Sequence, residues 1–276
     1  MNNQAGRPRA DERLIAEAQR RLTERDRTIF EAVYEHRVLT SEQLRQLFFV
    51  GGQRARQRLV ELYRLRMLDR FRPYQQHGSA PYHYLLDQLG AAAVATERGL
   101  EPAELDWSRA KALKLASSKQ LDHLVEANGF FTSLIEATRT RGGIEIIAWW
   151  GQRRCAQAWG ELVRPDGYGA MESDGAVVEL YLEWDRGSEA LSRIEDKLIR
   201  YGELEAALGR RPRVVFVAPS DGRERELLRV LREHAASDTL ITTADRHTTD
   251  PLGTNWLSPH HETRLNLIHA AQEPPR

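Results

Sequence analysis

The hydrophobic pattern of the first hundred residues has helical spacing. In LTERDRTIFEAVYEHRVL, the residues Ile29, Val33 and Tyr34 lie on one stripe. Thr23 precedes this stripe, and Asp26 follows three residues later, where an acidic side chain completes a capping box. The pattern predicts a helix that begins after Thr23 and buries the stripe.

A second, shorter helix is predicted in LTSEQLRQLFF. Thr40 or Ser41 is its expected N-cap, because hydroxyl side chains accept the first free backbone N–H groups of a helix. Its apolar positions are Leu44, Leu47 and Phe48, which we expect to be buried.

The third segment, GGQRARQRLVELYRLRMLDRFR, combines an apolar stripe with a basic face. The two glycines form a turn, and a longer helix follows from Gln53 with Ala55, Leu59 and Leu62 inward. Its other faces carry polar and basic side chains: Gln53, Arg54, Arg56, Gln57, Arg58 and Arg64.

Two short β-type runs come next, MLDRFRP and PYHYLLD, joined by the turn-rich YQQHGSA. A helix, a second helix, an Arg-rich helix and a hairpin occur in this order in a winged helix-turn-helix. That order predicts that the third helix enters the major groove of double-stranded DNA. Its N-terminal residues would lie nearest the base edges, where Gln suits adenine and Arg suits guanine: Gln53, Arg54, Arg56 and Gln57.

Other basic side chains around this helix have more than one interpretation. Arg58 is a further candidate DNA contact, and the alternative for it is an ion pair with Glu61 or Glu31. The alternative for the whole helix is an amphipathic helix with a solvated basic face. Side chains on or near the hairpin are expected close to phosphates or the minor groove: Arg70, Arg72, Gln75 and His77.

A polar stretch separates this region from the rest of the chain. It is LEPAELDWSRAKALKLASSKQ, and it follows a predicted helix in LLDQLGAAAVATERG. The predicted organisation is a flexible N-terminus (1–19), a winged-helix domain (20–104), a linker (105–117), an α/β domain (118–260) and a C-terminal tail (261–276).

The second half alternates helices and strands. A long helix in SKQLDHLVEANGFFTSLIEATRTRGG precedes the strand IEIIAWW, a loop or short helix, and two strands around Ser173-Asp174-Gly175. A helix capped by Ser188, the apolar strand RPRVVFVAPS, another helix and a last strand, TLITTA, complete it. The order αβββαβαβ is typical of a mixed sheet flanked by helices, so the whole chain is expected to be α+β.

One strand, AVVELYLEW, carries acids within a sequence of buried type. Side chains alternate along a strand, so Val178, Leu180, Leu182 and Trp184 share one face. The other face carries Glu179, Tyr181, Glu183 and Asp185. Acids on one face repel one another unless water, a cation or basic side chains offset them, so this face is either solvated or a site.

Composition adds three constraints. The first 75 residues hold 16 Arg and 10 acids, whereas the other 201 hold 24 basic and 30 acidic residues, so the first part is the nucleic-acid candidate. The single Cys155 excludes an intrachain disulfide and a multi-Cys zinc site. No apolar run is long enough to span a bilayer and no N-terminal signal pattern occurs, so we expect a cytoplasmic protein that does not bind membranes.

Pro165-Asp166, a β-turn and then Glu183-x-Asp185 at the end of the next strand resemble the PD-(D/E)xK nuclease core. The resemblance implies that Asp166, Glu183 and Asp185 hold one Mg²⁺, whose bound water attacks a phosphodiester. Asp185 stands where that pattern has a Lys, and Lys197 on the following helix is the candidate replacement.

The alternative is a degenerate nuclease fold whose acids form a structural network with basic side chains. The expected partners of the acids in that case are Arg186, Arg193 and Lys197. Arg200 and Tyr201 lie on the same predicted helix face as Arg193 and Lys197, and this face could neutralise the strand carboxylates.

Taken in order, several short motifs resemble the replication-relaxation family of plasmid and mobile-element proteins. They are LTERDRTIFEAVYEHRVLTSEQLRQLFF, RARQRLVELYRLRML, LDHLVEAN, RPDGYG, YLEWDRGSE and the helix through KLIRY, over about residues 20 to 260. The resemblance implies a DNA-binding N-terminal domain and a nuclease-like C-terminal domain, linked to plasmid replication, copy control or transfer. It also implies a polar pair, His123 and Asn128, on the long helix, where Glu126 or Glu136 is available to the site.

These observations predict a sequence-specific protein that binds double-stranded DNA in replication control or transcription regulation. Its nuclease-like domain would not cleave DNA but would form a homodimer or bind replication or transfer proteins. The first alternative is a nuclease or nickase with Mg²⁺ as the one expected cofactor and with Asp166, Glu183, Asp185 and Lys197 as catalytic residues. The second is a protein-binding adaptor. A recombinase-type nucleophile, Tyr201 near Arg200, is a weaker candidate.

Overall fold

The structure is a computed structural model that describes residues 17–18, 20–76, 78–234 and 239–268. Contacts divide the chain into two compact units, the first ending at Val125 and the second beginning at Glu126. Each unit contains helices and a sheet, so the predicted α+β class is confirmed. Within the described ranges, no helix is both long enough and apolar enough to cross a membrane.

The first unit packs helices on a small antiparallel sheet. Its elements are α1 (Glu24–His36), β1 (Leu39–Thr40), α2 (Ser41–Phe48), α3 (Gly52–Arg64), β2 (Leu68–Phe71), β3 (His83–Leu86), α4 (Gln88–Glu97) and α5 (Arg109–Leu115). The strand order is β1-β3-β2. The predicted hairpin is therefore confirmed as β2 and β3, and β1 is a third strand that the sequence pattern did not predict.

Capping side chains determine where the first helices begin. At α1, the Asp26 carboxylate accepts a hydrogen bond from the Thr23 N–H at 2.7 Å, and the Thr23 hydroxyl accepts one from the Asp26 N–H. Thr40 and Gln43 form the same reciprocal pair at α2. The predicted capping box of α1 is confirmed, and the cap of α2 is Thr40.

The inward positions of α2 and α3 follow the predicted stripes with one difference. Ala55, Leu59 and Leu62 of α3 are buried, as are Leu44 and Leu47 of α2. Phe48 is half-buried and Phe49 is buried in its place. The backbone at Phe49 is extended, with φ −136° and ψ 141°, so the periodicity of the helix no longer sets the direction of its side chain.

The stretch 105–117, predicted to be a linker, contains α5. The Arg109 guanidinium donates to the Asp69 carboxylate on β2 at 3.1 Å. Leu115 is buried in a cluster with Val38 and Leu124. Most of this stretch therefore packs within the first unit.

The second unit is built around a five-stranded sheet. Its elements are α6 (Leu121–Arg141, which begins in the first unit), β4 (Ile144–Gly151), α7 (Gln152–Trp159), β5 (Gly167–Ser173), β6 (Ala176–Trp184), α8 (Leu191–Leu208), β7 (Val214–Ala218), α9 (Asp221–His234), β8 (Leu240–Thr243), α10 (Ala244–Thr249), β9 (Thr254–Trp256) and β10 (Leu265–Asn266). The sheet order is β4-β5-β6-β7-β8, antiparallel from β4 to β6 and parallel from β6 to β8. The expectation that TLITTA is the last strand is wrong, since β9 and β10 follow it as a separate pair.

Helices cover both faces of this sheet. α8 and α9 pack on the face that carries Tyr181, and α6 packs on the face that carries Leu180 and Leu182. The predicted alternation along β6 is therefore confirmed. The acid-bearing face is buried under helices toward the end of β6, because Glu183 and Asp185 are only 4% and 6% exposed.

Two glycines in RPDGYG allow α6 to approach the sheet closely. A Cβ atom on Gly167 or Gly169 would lie 2.5 or 2.6 Å from the ring of Phe131. That distance is far inside van der Waals contact, so the ring can lie on β5 only where these side chains are absent.

The start of α8 differs from the prediction. Its N-cap is Ala190, without a side-chain hydrogen bond, and Ser188 is not the cap. Long-range contacts hold the preceding loop instead, since the Glu189 carbonyl accepts from Arg223 at 2.6 Å and the Glu189 carboxylate accepts from Lys197 at 2.9 Å.

Candidate functional site

The N-terminal half of α3 presents a polar and basic surface. Gln53, Arg54, Arg56 and Gln57 are exposed, while Ala55 between them is buried. Among the described residues, none of these four side chains forms a hydrogen bond or an ion pair. Their donors are therefore available to a ligand outside the chain.

Arg58, a predicted DNA contact, hydrogen-bonds groups of its own chain. Its Nε donates to the Asp26 carboxylate at 2.9 Å, and Nη2 donates to the other oxygen of the same group. Nη1 donates to Glu61 at 2.5 Å, and Nη2 also reaches the Arg21 carbonyl at 2.8 Å. The guanidinium ties α3 to α1 inside the first unit, which is the ion-pair alternative to a DNA contact for Arg58.

The ion pair with Arg58 keeps the buried Asp26 carboxyl in its charged form. Burial alone would raise the pKa of Asp26, but hydrogen bonds from Arg58 and Thr23 outweigh it and hold that pKa below its ordinary value. The carboxylate therefore stays ionised although Asp26 is 0% exposed. The expected ion pair between Arg58 and Glu61 is present, and the Asp26 partner was missed because it lies 32 residues away in sequence.

The remaining candidate DNA contacts lie on or near the hairpin, where the two arginines rest on aromatic rings. The guanidinium carbons of Arg70 and Arg72 lie 4.0 and 3.8 Å from the ring centroid of Tyr82. Arg70 also lies 4.4 Å from the ring of Tyr63 on α3. Gln75 is exposed in the connection between the strands, and the fourth candidate, His77, lies outside the described residues.

In the second unit, Asp166 is held beside the end of β6. Its N–H donates to the Leu182 carbonyl at 2.9 Å, and its carboxylate accepts from the Trp184 N–H at 2.9 Å. Gln152, at the start of α7, lies 3.5 Å from the other carboxylate oxygen. Strand pairing thus places Asp166 next to Glu183, as the sequence motif suggested.

Glu183 is enclosed by α8. Its Oε2 accepts from Lys197 Nζ at 2.8 Å, and its Oε1 accepts from the Tyr201 hydroxyl at 2.7 Å. Burial raises the pKa of Glu183 to about 7, the Lys197 ammonium opposes that rise, and the charge of Asp166 adds to it. For Lys197, burial would lower the pKa, but the carboxylates of Glu183 and Glu189 hold it above its ordinary value.

Asp185 has a different set of partners from Glu183. Its Oδ2 accepts from Arg223 Nε at 2.6 Å and its Oδ1 accepts from the Gly187 N–H at 2.9 Å. Both oxygens are therefore occupied by groups of this chain. The structure brings Asp166, Glu183 and Lys197 together, and it binds Asp185 to α9.

This arrangement does not fit the implied Mg²⁺ site. Magnesium prefers several oxygen ligands with near-octahedral geometry. The ammonium of Lys197 lies on one oxygen of Glu183, and a guanidinium lies on Asp185. Within the described part of the chain, no three His, Cys, Asp or Glu side chains form a group that could hold a metal ion.

The network of acids and cations was anticipated, but its members were only partly identified. Of the three expected partners, Lys197 is present, Arg186 pairs with Glu126 at 3.1 Å, and Arg193 is exposed. Tyr201, on the helix face expected to neutralise the acids, is also present, and the partners that sequence reasoning missed are Gln152 and Arg223. Arg223 lies 38 residues after Asp185, and no local motif links the two.

The remaining candidate residues, Tyr201, Cys155 and Glu126, contact other parts of the second unit or are buried in it. Tyr201 is buried and donates to Glu183, and burial followed by the charge of Glu183 raises its pKa well above the ordinary value, which disfavours a nucleophilic phenolate. Cys155 is fully buried. Of the two acids considered on α6, Glu126 reaches the end of β6, where it accepts from the Trp184 indole N–H at 3.0 Å.

The protein has two units with different electrostatic character. The first carries a basic hairpin and a basic helix whose N-terminal side chains are exposed, and the second carries a mixed sheet in which Glu183 and Asp185 are neutralised by cations of the chain. The chain belongs to the replication-relaxation family, which matches residues 30–217. Membership associates it with replication or relaxation functions.

One curated protein is similar over a short stretch. It is erythronolide synthase EryA3 of Saccharopolyspora erythraea, which is 36% identical over 90 residues. The match covers 31% of this chain and 3% of that much longer protein. No solved structure matches the chain significantly.

Proposed function

We propose that this protein binds double-stranded DNA in a sequence-specific manner and acts in replication control or transcription regulation of a plasmid or mobile element. In this proposal the first unit is a winged helix-turn-helix, in which α3 enters the major groove and the β2–β3 hairpin is the wing. The family membership supports a role in replication or relaxation.

One observation carries the proposal. Gln53, Arg54, Arg56 and Gln57 are exposed at the N-terminal half of α3, where a recognition helix meets base edges. In the major groove Arg can donate two hydrogen bonds to guanine, and Gln can donate one hydrogen bond to adenine and accept another from it. Arg54 and Arg56 form no ion pair among the described residues, whereas Arg45 on α2 pairs with Glu42, so the guanidinium groups of Arg54 and Arg56 are available to an external ligand.

The second unit is proposed to have a PD-(D/E)xK-like arrangement that does not cleave DNA. Cations of the chain neutralise Glu183 and Asp185, so these carboxylates serve folding better than catalysis. We assign this unit to formation of a homodimer or to binding of replication or transfer proteins. A two-fold dimer would produce a palindromic footprint, because half-site spacing reflects the symmetry of the protein.

DNA binding is tested by replacing Arg54 and Arg56 together with Ala. The change is expected to weaken binding to the DNA upstream of the protein's own coding sequence about 100-fold, since each bidentate contact contributes about 1–3 kcal/mol. The matched control replaces Arg225 and Arg229 with Ala, which removes the same charge from exposed positions on α9. Fluorescence anisotropy at several salt concentrations measures both variants.

Three outcomes of that titration have different meanings. Equal weakening by both variants would show that net charge matters and that groove docking by α3 is wrong. Unchanged affinity in the Arg54/Arg56 variant would also reject docking. If the wild-type protein does not bind DNA, or binds without the steep salt dependence of phosphate contacts, the adaptor alternative is favoured.

The nuclease alternative is kept because Asp166, Glu183 and Lys197 lie together, although the cations on Glu183 and Asp185 disfavour a Mg²⁺ site. Supercoiled plasmid carrying the upstream DNA is incubated with the protein, with and without Mg²⁺ or Mn²⁺. We expect the plasmid to be retarded on a gel but not nicked. Metal-dependent nicking that disappears in Asp166→Ala would establish a nuclease and overturn the proposed non-cleaving role.

A further inference from the structure

Tyr74, in the connection between β2 and β3, is 89% exposed. A single exposed apolar side chain is common on protein surfaces and by itself indicates nothing. The base of the connection distinguishes Tyr74, because the side chain of Arg72 contacts both Ser79 and Tyr82 there.

The base of this connection is closed by Arg72. Its Nη1 donates to the Ser79 hydroxyl at 2.7 Å, which joins the two sides of the connection. Its guanidinium also lies on the ring of Tyr82, at 3.8 Å from the centroid. Pro73 restricts the backbone between Arg72 and Tyr74. Tyr74 therefore extends into solvent from a supported position.

The chain that leads into Tyr74 is basic. Arg70 and Arg72 both stack on Tyr82, and between Asp69 and Asp87 the sequence has no acidic residue. An exposed aromatic ring beside cations and amide side chains suits a ligand that combines phosphates with flat apolar faces, which is a nucleic acid.

We propose that Tyr74 stacks on a base of the bound duplex at a deformable step, while Arg70 and Arg72 contact the flanking phosphates. This inference rests on the proposed DNA binding and names a further determinant of the site that is recognised. Pyrimidine–purine steps unstack more readily than others, so the preferred DNA has such a step under the hairpin, outside the base pairs that α3 contacts.

The test uses duplexes of the upstream DNA in which single bases near the footprint edge are replaced in turn by the fluorescent base 2-aminopurine. Wild-type protein and Tyr74→Phe are expected to change the fluorescence at one position, and Tyr74→Ala is not. Tyr74→Ala is also expected to bind the unlabelled duplex about tenfold more weakly, since base–aromatic stacking contributes at this scale. Gln76→Ala, in the same connection, is the matched control and is expected to bind like the wild type.

The outcomes separate this inference from the function on which it rests. If the wild type binds and Tyr74→Ala binds equally well with the same fluorescence changes, the stacking role is wrong and the proposed function stands. If Tyr74→Phe loses affinity as much as Tyr74→Ala, the hydroxyl and not the ring is the contact, and stacking is again rejected. If the wild type does not bind DNA, both proposals fail.

Discussion

Replacing Lys197 with Met is expected to lower the free energy of unfolding of the second unit by about 3 kcal/mol at pH 8, because the change leaves the buried Glu183 carboxylate without its cation. At pH 5 the loss should be much smaller. Burial already raises the pKa of Glu183 to about 7, and without Lys197 that pKa rises further. The neutral carboxyl present at pH 5 needs no counter-ion.

The direction of the pH dependence follows from proton binding. An unfolded Glu has a pKa near 4.3, so between that pH and about 7 the folded wild-type protein binds more protons at Glu183 than the unfolded chain. The contribution of this group to stability therefore falls as pH rises through that window. In Lys197→Met the fall continues to higher pH, so the difference between the two proteins grows with pH.

Urea unfolding followed by tryptophan fluorescence measures this effect, since five of the six tryptophans lie in the second unit. Glu183→Gln is the control, because it removes the ionisable group and should remove the pH dependence of the Lys197→Met change. A destabilisation of Lys197→Met that is the same at pH 5 and pH 8 would contradict the role of Lys197 as counter-ion and indicate lost packing instead.

Replacing Arg58 with Met is expected to destabilise the first unit by about 3 kcal/mol at pH 7. Asp26 is fully buried, and in this variant it retains its hydrogen bonds to Thr23 but loses the guanidinium. Burial should then raise the pKa of Asp26 above its ordinary value, whereas in the wild type that pKa is lowered. The penalty is therefore expected to shrink as pH falls toward 4 and the carboxyl becomes neutral.

Hydrogen exchange of the amides in α1 and α3 measures the stability of this unit separately from the second. Arg64→Met is the matched control, since Arg64 is an exposed arginine at the end of the same helix and its loss should change little. At temperatures where Arg58→Met is folded, its affinity for DNA should be close to that of the wild type. A selective loss of DNA affinity without a loss of stability would return Arg58 to the DNA contacts.

The elements of both units could be predicted largely from local patterns. The capping residues at Thr23 and Thr40, the inward stripe of α3 and the alternation along β6 are properties of neighbouring residues. Each depends on helical or strand periodicity or on a hydrogen bond within three residues. The start of α8 was mispredicted because the contacts of Glu189 with Lys197 and Arg223 hold the preceding loop, and Ser188 does not form a cap.

The candidate site was predictable only in part. The sequence showed which residues carry charge and which of them share a face, so the exposed donors of α3 and the acids of β6 were recognised. It did not show that Arg58 faces Asp26, or that Glu183 and Asp185 bind cations from different helices. For Arg58 the local partner, Glu61, was expected, and the distant partner was not.

The sequence by itself determined the α+β class, the order of most elements, and the positions where polar side chains lie on otherwise apolar elements, because periods of two and 3.6 residues act within each segment. The tertiary structure alone decided which charges are free and which are paired. Ion pairs between residues 32 and 38 positions apart form only when packing brings their elements together. Burial then sets whether each carboxylate keeps its charge, because desolvation depends on the surrounding helices and not on the neighbours in sequence.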